Sequence, residues 1–187
     1  MVTKYPAADF KKVVATKGEI KKIIRRMAKE ISRHYEGRKL LVCVILKGAF
    51  IFASDLVRMI KIPLEVTFIK ASSYGSGSVS AGNVGVTEFF DFDKYKNYDI
   101  LIVDDILDSG NTMDYLKEYF TGRGFSAVDF CALLDKPERR EKEIYARYTG
   151  KRIENEFVVG YGLDYCEKYR NLPFIAVLDE KIYSGGF

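Results

Sequence analysis

Between Thr16 and Tyr35 the apolar residues Ile20, Ile23, Ile24, Met27 and Ile31 recur at steps of three and four, with Lys and Arg on many of the remaining positions. That spacing lines one side of an α-helix. Thr16 and Glu19 are spaced as a capping box, in which each side chain satisfies the other residue's backbone N–H at the helix start. The pattern predicts a surface helix over roughly 17 to 35. His34, the chain's one histidine, falls near its polar end and reads as a solvated residue with no catalytic part.

The period then changes. Leu40 to Leu46 is an unbroken apolar run bounded by charge, which reads as a strand buried on both faces. Gly48 to Ile60 reads as a helix, Leu64 to Lys70 as a strand, Ile100 to Val103 as a strand, Met113 to Phe120 as a helix and Ala127 to Leu134 as a strand. Phe157 to Tyr161 and Phe174 to Leu178 are two shorter strand-like runs. From Ala71 to Thr87 the chain carries no charge and is rich in Ser and Gly. This stretch reads as a mobile loop inside one domain, because strand-like segments continue on both sides. Strands alternating with helices predict an α/β fold with a mostly parallel sheet flanked by helices, and 187 residues suit a single domain over 1–187.

Composition narrows the classes. With 48% hydrophobic and 30% charged residues the chain can pack a core, unlike a disordered or collagenous sequence. The longest apolar run, Leu40 to Leu46, is far short of the roughly 20 residues a membrane helix needs. Residues 1–12 mix Lys4, Asp9, Lys11 and Lys12 with scattered apolar positions, so no secretory signal is expected. A cytoplasmic protein with no membrane partner follows. Cys43, Cys131 and Cys166 are an odd number without a Cys-x-x-Cys pair, which predicts reduced thiols and no zinc site. The formal charge of +4 is spread along the chain and suits an anionic small substrate as well as nucleic acid.

The chemistry concentrates in residues 100–112. An apolar strand ends in two acids, Asp104 and Asp105, and runs through Asp108, Ser109, Gly110, Asn111 and Thr112 into a helix. Ligands of open α/β sheets bind at that end of the strands. Gly110 lets successive N–H groups turn toward one point, and the Ser109 and Thr112 hydroxyls add donors beside a positive helix terminus, a nest suited to a phosphate monoester. The two common nucleotide fingerprints, Gly-x-x-x-x-Gly-Lys and Gly-x-Gly-x-x-Gly after a strand, are absent. Asp104 and Asp105 suit either a sugar diol or a magnesium ion held through water. The competing reading is a solvated turn before an ordinary helix.

At these residues the sequence resembles the type I phosphoribosyltransferases. Leu46-Lys47-Gly48 is similar to their pyrophosphate loop, Ser73 and Tyr74 to the start of their lid, and the segment ending in Lys136 to their base-reading loop. Phe157 to Tyr165, with Arg170 beyond, resembles the purine and metal end of the hypoxanthine-guanine members. The resemblance implies a central sheet with a small hood built from the N-terminal segment and residues of about 150–187, and a lid over about 71–87. It implies transfer of the 5-phosphoribosyl group from phosphoribosyl pyrophosphate to N9 of hypoxanthine or guanine, with Mg2+. Asp104 and Asp105 would face the ribose hydroxyls and magnesium, and Ile106 would belong to the substrate-binding residues. Asp108 would be the general base within the 5′-phosphate loop to Thr112. Lys136 would contact the oxygen at purine C6, Phe157 would stack on the ring and the Val158 backbone would read its edge. Asp164 would bind a second magnesium, and Arg170 with the Lys47 loop would hold pyrophosphate across a cis Leu46–Lys47 peptide. Relatives form dimers and tetramers, so a homo-oligomer with no nucleic-acid partner is implied.

Each role has a plainer competitor: Phe157 as core, Lys136 as surface charge, Arg170 as a structural ion pair, Tyr74 as loop filling. Asn111, Glu156 and Cys166 depart from the residues relatives often carry, Lys, Lys and Asn respectively, which bears on affinity rather than chemistry. Two further readings stay open: another base, although a 6-oxo group suits Lys136 better than adenine does, and a nucleotide-sensing RNA-binding regulator.

Overall fold

The computed structural model describes residues 5–73, 84–88 and 92–184. In chain order the elements are β1 (Phe10–Ala15), α1 (Lys17–His34), β2 (Leu40–Leu46), α2 (Phe50–Met59), β3 (Leu64–Ser73), β4 (Val84–Glu88), β5 (Asp99–Leu107), α3 (Asn111–Thr121), β6 (Val128–Asp135), β7 (Tyr148–Arg152), β8 (Val158–Val159), β9 (Ile175–Leu178) and α4 (Glu180–Tyr183). One sheet of six strands has the order β4-β3-β2-β5-β6-β7, parallel throughout except for β4, which pairs antiparallel with β3.

Strand alternation sends successive side chains to opposite faces. On one face Val42, Val44, Leu101 and Val103 meet Ile20, Ile24, Met27 and Ile31 of α1 and Phe52 and Leu56 of α2. On the other, Leu41, Cys43, Ile100 and Ile102 meet Met113, Leu116 and Phe120 of α3. Each such large side chain contributes about 1.5–3 kcal/mol by leaving water. This explains why β2 reads as an unbroken apolar run. The α1 capping box is formed: Thr16 Oγ1 accepts from the Glu19 N–H and Glu19 Oε2 accepts from the Thr16 N–H. Cys43 and Cys131 are buried, and burial pushes the Cys131 thiol far up, which leaves it unreactive.

A second sheet, β1-β9-β8, is antiparallel and stands apart from the first. It joins the N-terminal segment to the C-terminal part, and Tyr169, Leu172 and Leu178 form its own core with Phe10 beside them.

Several expectations need correction. The uncharged stretch from Ala71 is not wholly loop: β3 continues through Ser73 and β4 begins at Val84, so its two ends form antiparallel strands. Residues 74–83, and with them Tyr74, lie outside the described residues. β5 does not end at Val103 but carries the acid pair within it. The strand expected over 157–161 contains only Val158 and Val159, and it belongs with β9 to the second sheet. His34 is not freely solvated; its ring nitrogens lie 3.2 Å from the guanidiniums of Arg38 and Arg147. Burial and the Arg147 charge push its pKa down, which keeps the ring neutral and structural.

Candidate active site

The loop that follows β2 meets both the acid pair of β5 and residues 160–170, and the turn after β5 packs against the segment that follows β6. After β2 the Leu46–Lys47 peptide is cis, and the next residue is pressed from two sides. A Cβ on Gly48 would lie 1.8 Å from Asp105 Oδ2, and a Cβ on Gly162 would lie 2.1 Å from the Gly48 carbonyl oxygen. Only residues without side chains let these three segments approach so closely. The pyrophosphate-loop candidate, the acid pair and the C-terminal segment are thereby one packed unit.

Within that unit Asp104 Oδ1 accepts the Asp105 N–H at 3.0 Å, and Asp105 Oδ1 accepts the Ile106 N–H at 3.0 Å. Burial pushes the Asp104 carboxyl well up, and the neighbouring Asp105 pushes it further. Burial also raises Asp105, with Asp104's hydrogen bond, backbone N–H groups and the Arg170 charge opposing it. Such a pair is poised to regain full charge against a cation or a set of hydroxyl donors.

The turn after β5 is braced from outside. Gly110 caps α3 at φ 89° without a side chain of its own, and the Asn111 N–H donates to Ser109 Oγ at 3.4 Å. That contact is long, so an anion can displace it at the positive end of the helix. The Ser109 carbonyl accepts the Glu141 N–H at 2.9 Å, the Asp108 carbonyl accepts from Arg140 Nη1 at 2.6 Å, and Asn111 Nδ2 donates to Glu141 Oε2 at 2.8 Å. Asp108 Oδ1 is buried with no hydrogen-bond partner among the described residues, although Arg139 Nε stands 3.4 Å away. An unsatisfied carboxylate oxygen at a loop of this kind is free to accept a substrate proton. Arg139, Arg140 and Glu141 were invisible to motif reading, because nothing in their local sequence marks them as supports for a turn some thirty residues earlier.

Lys136 and Phe157 exchange the places their plainer readings gave them. Lys136 is 6% exposed, not a surface charge, and Phe157 is 40% exposed, not core. The Lys136 ammonium makes no hydrogen bond or ion pair among the described residues. Burial lowers its pKa, with the Asp108 charge pulling the other way. The Phe157 ring leans on Tyr183 at 5.2 Å and meets Tyr165 edge-on at 5.8 Å, which holds it upright with one part open. Val158 is buried and pairs with Val177.

Arg170 is indeed in ion pairs, with Asp164 at 2.9 Å and with Glu167 at 3.3 Å, and its Nη1 donates to the Gly162 carbonyl at 2.8 Å. Glu167 also pairs with Lys47 at 3.0 Å; no motif had singled it out. The metal-capable donors are the carboxylates of Asp104, Asp105 and Asp164, hard oxygen ligands. No group of three potential ligands is gathered among the described residues, so a divalent ion here would draw ligands from substrate oxygens and water. Ser73 ends β3.

Comparison with known proteins agrees with this arrangement. The phosphoribosyl transferase domain family matches residues 13–166. A hypoxanthine-guanine phosphoribosyltransferase of Staphylococcus aureus is 40% identical over 176 residues, 94% of this chain and 98% of that protein. A bifunctional TilS/HprT protein of Listeria monocytogenes is 44% identical over 176 residues, and there the chain spans only 27% of the relative's length. The crystal structure of a Staphylococcus aureus hypoxanthine phosphoribosyltransferase superposes with a TM-score of 0.87 at 39% identity, covering 94% of this chain and 95% of that one. The match of sequence and fold, together with a closely packed junction of three distant segments, means that the chain belongs to the phosphoribosyltransferase family.

Proposed function

We propose that the protein transfers the 5-phosphoribosyl group of phosphoribosyl pyrophosphate to N9 of a 6-oxopurine, hypoxanthine or guanine, and releases pyrophosphate. The observation that carries the choice of base is Lys136, a residue only 6% exposed whose ammonium lies near the Asp108 charge and has no hydrogen bond or ion pair among the described residues. A charge in that position costs free energy unless a ligand acceptor answers it, and a purine C6 oxygen is such an acceptor. Adenine offers none there.

As the bond from ribose C1 to pyrophosphate breaks, positive charge grows on the sugar and negative charge on the leaving group. N9 bonds to C1 while its proton passes to Asp108. The turn from Asp108 to Thr112 holds the 5′-phosphate on the α3 N-terminus, Asp104 and Asp105 hold the ribose, and Lys47 with Arg170 receives pyrophosphate. The exposed face of Phe157 stacks on the base. Asp104, Asp105 and Asp164 would hold a magnesium ion, which when bound would neutralise charge at the phosphates. Residues 71–87 serve as a lid that excludes water, the competing nucleophile. The single domain works as a homodimer or homotetramer in the cytoplasm. No helix among the described residues is long and apolar enough to cross a membrane.

The test is a panel. The protein is incubated with phosphoribosyl pyrophosphate, magnesium and one of hypoxanthine, guanine, xanthine or adenine, and nucleotide is followed by chromatography. Hypoxanthine or guanine should be converted and adenine not; a preference for adenine would remove Lys136 from base selection.

A further inference from the structure

Lys47 and Arg170 reach the site from segments more than a hundred residues apart, and one side chain joins them. Glu167 Oε1 lies 3.0 Å from Lys47 Nζ, and its other oxygen, Oε2, lies 3.3 Å from Arg170 Nη2 and 3.4 Å from Arg170 Nε. One carboxylate oxygen therefore faces each cation. We propose that Glu167 is a positioning residue whose carboxylate stands where pyrophosphate oxygens bind, bridging Lys47 and Arg170 and giving them up to the diphosphate. This rests on the transferase reading above and adds a residue that the reading does not use.

The backbone argues that the placement is specific. Tyr165 and Lys168 exchange backbone hydrogen bonds at 3.3 and 3.0 Å around Cys166 and Glu167, whose φ values are 50° and 62°. That is the geometry of a two-residue turn with both central residues left-handed, where Gly, Asn and Asp are the usual occupants. Other residues are sterically disfavoured there, so a glutamate at the second position gains its place by what it touches. The Glu167 N–H further donates to Asp164 Oδ2 at 2.9 Å, which ties the turn to a candidate metal ligand.

Exposure decides that the bridge can open. The Glu167 and Lys47 side chains are 65% and 62% exposed, whereas Arg170 is 19% exposed. Ion pairs this open to water are weak, so a multiply charged diphosphate outcompetes the carboxylate. The remaining anion then sits beside the bound product and repels it. Glu167 thus orders the cations before the donor arrives and weakens the hold on pyrophosphate afterwards, with repulsion the larger effect because the pair it orders is so exposed.

The measurement is the affinity for inorganic pyrophosphate with magnesium, by titration calorimetry, for the wild-type protein and Glu167→Gln. Loss of the charge should tighten pyrophosphate about 5- to 30-fold, by an amount that shrinks as salt rises. The donor KM should fall while the base KM stays unchanged, a split that a merely structural role would not produce. Glu167→Asn, better suited to left-handed backbone, is the second neutral variant, and Glu167→Asp should bind closer to wild type than either. Unchanged or weaker pyrophosphate binding in both neutral variants overturns the proposal. Absence of nucleotide formation by the wild-type protein with every base would instead defeat the transferase reading, while the pyrophosphate titration still decides the role of Glu167.

Discussion

Replacing Gly48 with alanine puts a methyl group into the junction on which the whole site depends. The new Cβ would lie 1.8 Å from Asp105 Oδ2 and 2.6 Å from its Cγ, against an ordinary contact of 3.4 Å or more. The oxygen must retreat by 3.4 − 1.8 = 1.6 Å. Retreat of the Gly48 backbone is blocked on the other side, since its carbonyl already meets Gly162. Asp105 therefore moves and strains its hydrogen bond to the Ile106 N–H. Overpacking of this kind costs about 1–3 kcal/mol, which for a domain of this size lowers Tm by roughly 2–12 °C. A catalytic group displaced by an ångström or more costs about 10²-fold in rate. Thermal denaturation and kcat/KM for the donor read the two effects separately. A Gly48→Ala protein with wild-type Tm and wild-type kcat/KM would refute the packed junction.

Asp108→Asn should keep substrate binding and lower kcat by about 10²- to 10⁴-fold, the range for loss of a general base; near-normal turnover would remove Asp108 from that role. Lys136→Met should lower kcat/KM for 6-oxopurines by about 10- to 150-fold, as expected for losing a charged donor worth about 1.5–3 kcal/mol. The same variant carries a pH signature. Burial lowers the Lys136 pKa below 10.5 in the folded chain, so the unfolded chain binds more protons between the two values and stability rises with pH across that window. Lys136→Met should remove that rise in denaturation midpoints, and an unaltered alkaline profile would count against the burial. Chelation of divalent ions should abolish transfer but leave Tm unchanged, because the donor set is completed by substrate; a large fall in Tm would mean a resident structural metal.

How much of this was legible in sequence depended on whether a segment's partners are local. The limits of α1 could be read from its capping box and apolar stripe, and β2 from a run buried on both faces. β5 was cut short because the polar pair Asp104 and Asp105 interrupts its apolar run before Ile106 and Leu107 complete the strand. β1 and β7 were missed for a different reason. Their Lys and Arg residues hide an edge strand, and for β1 the pairing is set by a partner far along the chain, as when Phe10 pairs opposite Leu178. The hairpin of β3 and β4 was masked by its Ser and Gly content. In the site, acids and glycines clustered in one stretch were visible, whereas Glu167, Arg139 and Arg140 act by reaching across the fold. The exposures of Lys136 and Phe157 could not be told from residue type, since each departs from the usual habit of its kind.

The central claim is that one site couples breakage of the ribose–pyrophosphate bond to formation of a bond to a purine. Phosphorus NMR of the protein with phosphoribosyl pyrophosphate, magnesium and hypoxanthine observes donor, nucleoside monophosphate and pyrophosphate together. The account predicts that nucleotide and pyrophosphate appear in equal amounts, that neither forms appreciably until hypoxanthine is added, and that both slow by about 10²- to 10⁴-fold in Asp108→Asn. Pyrophosphate released at the same rate without the base, or no consumption of donor with any 6-oxopurine, would contradict it.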